Sequence, residues 1–109
     1  MSDKKVYLLM KSSIPPQLVG EFNEYWLRES LPFWSKHGAR MIGAFVNYVG
    51  GPICEEIRLF EFDSIANWDQ FEQSLAQSEE GRDLVNRLIS RFNIVVERKL
   101  LRAIYDVHE

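Results

Sequence analysis

The chain has 109 residues, of which 46% are hydrophobic and 13% aromatic, and carries a formal net charge of −3. That is one domain's worth of polypeptide with material for a modest core, so disorder is excluded and a single unit over residues 1–109 is expected. Thirteen basic and sixteen acidic residues are mixed along the chain, leaving no basic stripe for a phosphate backbone; nucleic acid is not an expected partner.

The first predicted strand starts at Val6. One parity reads Val6, Leu8, Met10 and the other Tyr7, Leu9, Lys11, so the strand is apolar on both faces. Ser12-Ser13 ends it, and Pro15-Pro16 opens a helix, where a missing N–H does no harm. Leu18, Phe22 and Trp26 follow at intervals of four, with Val19 and Tyr25 widening the stripe. Pro32 cannot continue that helix without losing a hydrogen bond, so a kink or break is expected near Ser30. A further turn carries Phe33 and Trp34 and stops at Lys36-His37-Gly38, cations followed by glycine.

A second strand is predicted over roughly 39–49, with Ile42, Ala44, Val46 on one parity and Met41, Phe45, Val49 on the other. Gly50-Gly51-Pro52 reads as a turn. The third strand, about 55–62, alternates Ile57, Leu59, Glu61 with Arg58, Phe60, Phe62. Asp63-Ser64 caps a helix whose stripe is Ile65, Trp68, Phe71 and Leu75. Ser78-Glu79-Glu80-Gly81 breaks it and starts another, with Leu84, Val85, Leu88, Ile89 and Phe92 as its apolar side. A last strand over about 94–105 closes the order βαββαβ, with the second helical region split in two. That is the ferredoxin-like α+β arrangement, an antiparallel sheet with its helices on one side. Since the strands are apolar on both faces and helices cover only one, a second copy of the chain is expected to cover the other.

Cys54 is the sole cysteine, so no intrachain disulfide can form, which suits a reducing compartment. The apolar run after Lys5 is too short for a signal-peptide core or a membrane span, and the cytoplasm is the expected location.

Ile42-Gly43-Ala44-Phe45, Gly50-Gly51-Pro52 and Leu59-Phe60-Glu61-Phe62-Asp63-Ser64 form a strand, glycine turn, strand and cap that resembles the NIPSNAP family of the dimeric α/β barrel superfamily. The helix ending in Lys36-His37-Gly38 is similarly placed. Phe60 and Phe62 stand where that family usually has Trp and Tyr, Arg58 where it often has histidine, and Leu8 and Met10 where its first strand is charged. The resemblance implies the fold and a homodimer of two sheets packed bare face to bare face; it carries over no catalytic set.

Candidate site residues come from strand parity. Phe60 and Phe62 lie next to the helix cap, so their face, which includes Arg58 and Glu56, is expected under the helices. In small polyketide cyclases of the same superfamily the space between helices and sheet is a ligand pocket. By analogy Phe22 and Trp26 would line it from the helix and Val6, Leu8 and Met10 from the first strand, with Phe60 beside them. Tyr48 and Tyr25 read as donors to a substrate oxygen or as core residues with a wet tip. An aromatic slot ending in arginine suits a planar organic acid or an enolate, because the guanidinium is a fixed fork matched to a carboxylate or oxyanion. Arg58 and Glu56 also read as a strand-end ion pair, the commoner role of two such charges. His37 reads as a general acid/base or as a helix C-terminal cation complementing the dipole. His108 is set aside as too close to the C-terminus. Two histidines and one cysteine without ligand spacing build no zinc site, so no metal is expected. Heme-degrading relatives of this barrel use a histidine in the second helical region, and residues 64–92 contain none. Cys54 as a nucleophile would sit against Glu55 and Glu56.

The leading functional expectation is a cofactor-free enzyme of isomerase, cyclase or monooxygenase type, acting on a hydrophobic anionic or carbonyl-bearing small molecule. Arg58 would stabilise negative charge and His37 or Glu56 would move a proton. The alternatives are a non-catalytic small-molecule-binding dimer, or a structural dimer whose exposed helix residues, such as Trp34, contact a larger complex.

Overall fold

The computed structural model describes residues 4–105; His108 lies outside them. The elements run β1 (Val6–Ser13), a 3-10 turn (Pro16–Leu18), α1 (Val19–Tyr25), a π-helical turn (Trp26–Ser30), α2 (Leu31–Lys36), β2 (Arg40–Val46), β3 (Glu55–Phe62), α3 (Ile65–Gln77), α4 (Glu79–Phe92) and β4 (Val95–Arg102). The four strands form one antiparallel sheet in the order β2-β3-β1-β4. The expected ferredoxin-like βαββαβ arrangement is what the chain adopts.

The central pair is in register with Leu8 opposite Phe60 and Met10 opposite Arg58. Val6, Leu8, Met10, Phe60 and Phe62 point under the helices and are buried, whereas Tyr7, Leu9, Ile57 and Leu59 on the opposite face are half-exposed. Phe71 of α3 ties the layers together, its ring 5.3 Å from Phe62 and 4.5 Å from Trp34. Each fully buried aromatic side chain contributes about 1.5–3 kcal/mol of hydrophobic stabilisation. The core is therefore one-sided. Phe45, on the uncovered face, is 57% exposed.

Two expectations are corrected and a third is made specific. The irregularity expected near Ser30 is a π turn rather than a break. Trp26–Ser30 widens into a π turn in which Leu31 N–H bonds Trp26 O, and Pro32 falls in the first turn of α2, where its missing N–H is harmless. The parity of β2 is interrupted by a bulge: Met41 pairs with Phe60 and Gly43 with Leu59, so the extra residue, Ile42, shifts the pattern and Met41 joins Ala44 and Val46 on the helix side. β2 is also shorter than expected, ending at Val46, with Tyr48 and Val49 in the following loop. There the consecutive positive φ angles of Gly50 (+84°) and Gly51 (+77°) carry the turn.

Both later helices start on serine caps. Ser64 Oγ accepts from Asn67 N–H and Ser78 Oγ from Gly81 N–H. Trp34 is 3% exposed, so it is core rather than the outer contact surface weighed above. Among the described residues no helix is long and apolar enough to cross a membrane.

Candidate functional site

Alternate positions on β3 place Glu56 and Arg58 side by side beneath α1, where they are only 6% and 4% exposed. Arg58 Nη1 donates to Glu56 Oε1 at 2.9 Å, and Arg58 Nη2 donates to Asn23 Oδ1 at 2.6 Å. Asn23 Nδ2 donates in turn to Glu56 Oε2 at 2.8 Å, and to Val19 O at 3.0 Å. Three side chains thus close a ring in which the carboxylate and the amide each use both ends. These contacts engage two of the guanidinium's five N–H donors.

Two aromatic rings lie on the guanidinium. Arg58 Cζ is 4.9 Å from the Trp26 ring centroid and 5.2 Å from that of Phe22. Burial pushes the Arg58 pKa below its ordinary value, opposed by the charge and hydrogen bond of Glu56. A cation held in apolar surroundings against one carboxylate is able to stabilise negative charge that develops beside it, since little water screens it.

Of the residues expected to form the site, the structure brings together Arg58, Glu56, Phe22, Trp26, Phe60 and Met10. Met10 is the cross-strand partner of Arg58, and the Trp26 and Phe60 rings are 5.9 Å apart. These aromatic side chains are packed against one another as core. Tyr48 is not with them: it lies on the β2–β3 loop, 98% exposed. His37 is also elsewhere. It follows α2 at the far end of the helical arm, about 20 Å along the axis from Asn23 at 1.5 Å per residue. Its ring lies 4.4 Å from Phe33, tilted by 42°, and lines an open groove of about 740 Å³ with Lys36, Gln70, Gln73 and Gln77. Tyr25 is held inward, donating its hydroxyl to Leu84 O at 3.0 Å, with its pKa raised by burial. Arg40 is a rim charge on Glu61 and Asp63, and Arg98 on Glu72.

Asn23 is the member the sequence reading missed. Its signal was there: it falls four residues after Val19 and three before Trp26, a polar residue within the apolar stripe, opposite the two charges of β3.

An antiparallel four-stranded sheet with its helices on one face and a polar cluster buried between the layers defines a ferredoxin-like α+β protein. A sequence profile of the NIPSNAP family matches residues 7–102, and the chain belongs to that family. No protein of curated function matches it. Among solved structures, a NIPSNAP family protein from Agrobacterium tumefaciens superimposes with a TM-score of 0.80 at 17% identity, over 99% of this chain and 92% of that one. A dimeric ferredoxin-like protein from an uncultured marine organism gives 0.69 at 14% identity, over 96% and 99% of the two chains. SnoaB from Streptomyces nogalater, a cofactor-independent oxygenase, gives 0.66 at 14% identity, over 97% and 99%.

Proposed function

We propose that the protein is a homodimer that takes up a hydrophobic small molecule bearing an anionic or carbonyl oxygen and acts on it without a cofactor, as an isomerase, cyclase or monooxygenase. The observation that carries this reading is the placement of Arg58, 4% exposed and 4.9 Å from the Trp26 ring, with Glu56 hydrogen-bonded to it. A carboxylate beside a buried cation suits proton abstraction next to a carbonyl: Glu56 accepts the C–H proton, and the resulting enolate charge develops against Arg58. Phe22 and Trp26 lie directly on the guanidinium, so a ligand that meets Arg58 does so by displacing one of these rings. Tyr48 and His37 take no part in this step. The likeness to a cofactor-independent oxygenase accords with such chemistry.

The uncovered sheet face, with Tyr7, Leu9, Ile57 and Leu59 half-exposed and Phe45 open, supports the homodimer, as does the dimeric ferredoxin-like neighbour. The unpaired Cys54 accords with a cytoplasmic location.

The test is a panel of enolisable aromatic ketones and β-keto acids, followed by mass spectrometry. Glu56→Gln and the volume-matched Arg58→Met should each lower turnover at least tenfold while the protein stays folded. Ligand-dependent thermal stabilisation with no product would instead favour the binding module. Turnover unchanged in both variants would remove this pair from the chemistry.

A further inference from the structure

The first helical arm carries two polar atoms that the fold leaves without partners. Trp26 Nε1 and Ser30 Oγ are buried and make no hydrogen bond, in residues 3% and 1% exposed. Buried donors are normally satisfied, so two on one helical turn call for an explanation. They are also placed by an unusual backbone. Phe22, Trp26, Ser30 and Trp34 recur every four residues, a spacing that drifts about 40° per step around an α-helix. The π turn over Trp26–Ser30 offsets that drift, and all four side chains stay buried.

Ser30 is the small polar member of this otherwise aromatic stripe. A helical serine commonly returns its hydroxyl to the carbonyl one turn back. Here that carbonyl, Trp26 O, receives Leu31 N–H, and Ser30 Oγ makes no such bond. The indole ring that bears the unpaired N–H is the one 4.9 Å from Arg58 Cζ.

We propose that Trp26 Nε1–H and Ser30 Oγ–H hold one oxygen of the molecule drawn to Arg58, and so select a carbonyl- or carboxylate-bearing ligand over a hydrocarbon of the same shape. This rests on the role given above to Arg58. Sites built to hydrogen-bond a ligand oxygen reject analogues lacking it, because their own buried donors are then left unpaired.

The probes are 2-naphthoate and naphthalene, titrated into the full-length protein. Wild type should bind 2-naphthoate at least tenfold more tightly than naphthalene. On 2-naphthoate addition the indole ¹H–¹⁵N resonance of Trp26, assigned by its loss in Trp26→Phe, should shift while that of Trp68 stays. Ser30→Ala should weaken 2-naphthoate binding by about fivefold or more and leave naphthalene unchanged, and Trp26→Phe should weaken 2-naphthoate about fivefold more than it weakens naphthalene. Should Trp26→Phe not fold, Ser30→Ala, which removes only a hydroxyl, decides alone. Equal weakening for both probes means a packing role and overturns the proposal. Unchanged 2-naphthoate affinity in both variants, with Arg58→Met weakened, overturns it while leaving the Arg58 reading standing. A wild type that binds neither probe overturns both.

Discussion

Arg58 Nη1 and Glu56 Oε1 meet at 2.9 Å from alternate positions of one strand, with 5% and 8% of their side-chain surfaces exposed. Such a pair is held by mutual compensation: each charge is tolerated because the other is there. Removing one partner is therefore worse than removing both. Arg58→Met should cost about 3 kcal/mol, because it strands a buried carboxylate. Adding Glu56→Leu should recover at least half of that loss. Urea denaturation of the two single variants and the double measures the coupling, and strictly additive losses would show that the charges do not stabilise one another.

Leu59 and Gly43 are cross-strand neighbours on the uncovered sheet face, with the Phe45 ring lying over Gly43 so closely that a Cβ there would sit 2.6 Å from Phe45 Cζ. This apolar strip is the surface a second copy would cover. Leu59→Lys should convert the protein from dimer to monomer in sedimentation velocity, with helical circular dichroism retained because the helical core lies on the other side. A wild type that sediments as a monomer at working concentrations would rule out the homodimer.

The sequence made the element order, the serine caps and the helix-facing parity of β3 legible, because each is a local pattern: Phe60 and Phe62 running into the helix cap, a serine before Ile65, a glycine after His37. What was not legible depends on register or on distance. A bulge at Ile42 adds one residue and inverts the parity of everything before it, and no single residue announces it. The gap between His37 and Arg58 is a matter of helix length: Arg58 lies beneath α1, and His37 follows α2 at the other end of the helical arm. Asn23 was hidden because its role exists only once β3 is laid beneath α1. The π turn escaped because Pro32 signals an irregularity without saying whether the helix ends or widens.

Glu61 carries a pKa lowered chiefly by its hydrogen bond from Arg40, with the charges of Lys5 and Arg40 adding to it. A carboxylate with a depressed folded-state pKa stabilises the protein above its unfolded pKa, and that stabilisation is lost as pH falls through the folded value. Arg40 is 48% exposed at its side chain, so solvent screening keeps the worth of the pair to less than about 1 kcal/mol. Glu61→Gln should accordingly be slightly less stable than wild type at pH 7, and the gap should close as the pH drops below the ordinary glutamate range. Thermal melts of both proteins across pH 3–7 give the comparison, and a gap that widens toward acid would contradict the assignment.

Two glycines in helices offer opposite responses to one substitution. Gly81 is buried in the first turn of α4, where α3 ends and the chain reverses at Ser78. An added Cβ there would meet Leu75 O at 2.5 Å, Ser74 O at 2.7 Å and Leu75 Cα at 2.8 Å. These are backbone atoms of the preceding helix and cannot rotate aside. Alanine gains about 1 kcal/mol over glycine in helix propensity, but the forced separation of α3 from α4 costs more, and Gly81→Ala should destabilise by about 2 kcal/mol net. Gly20, exposed in α1 with nothing within 4 Å of the added atom, meets only the propensity term. Gly20→Ala should therefore stabilise by about 0.5–1 kcal/mol. Melting temperatures should move in opposite directions, down by about 10 °C for the first and up by a few degrees for the second. A Gly81→Ala protein as stable as wild type would mean that the α3–α4 corner has slack that this packing does not show.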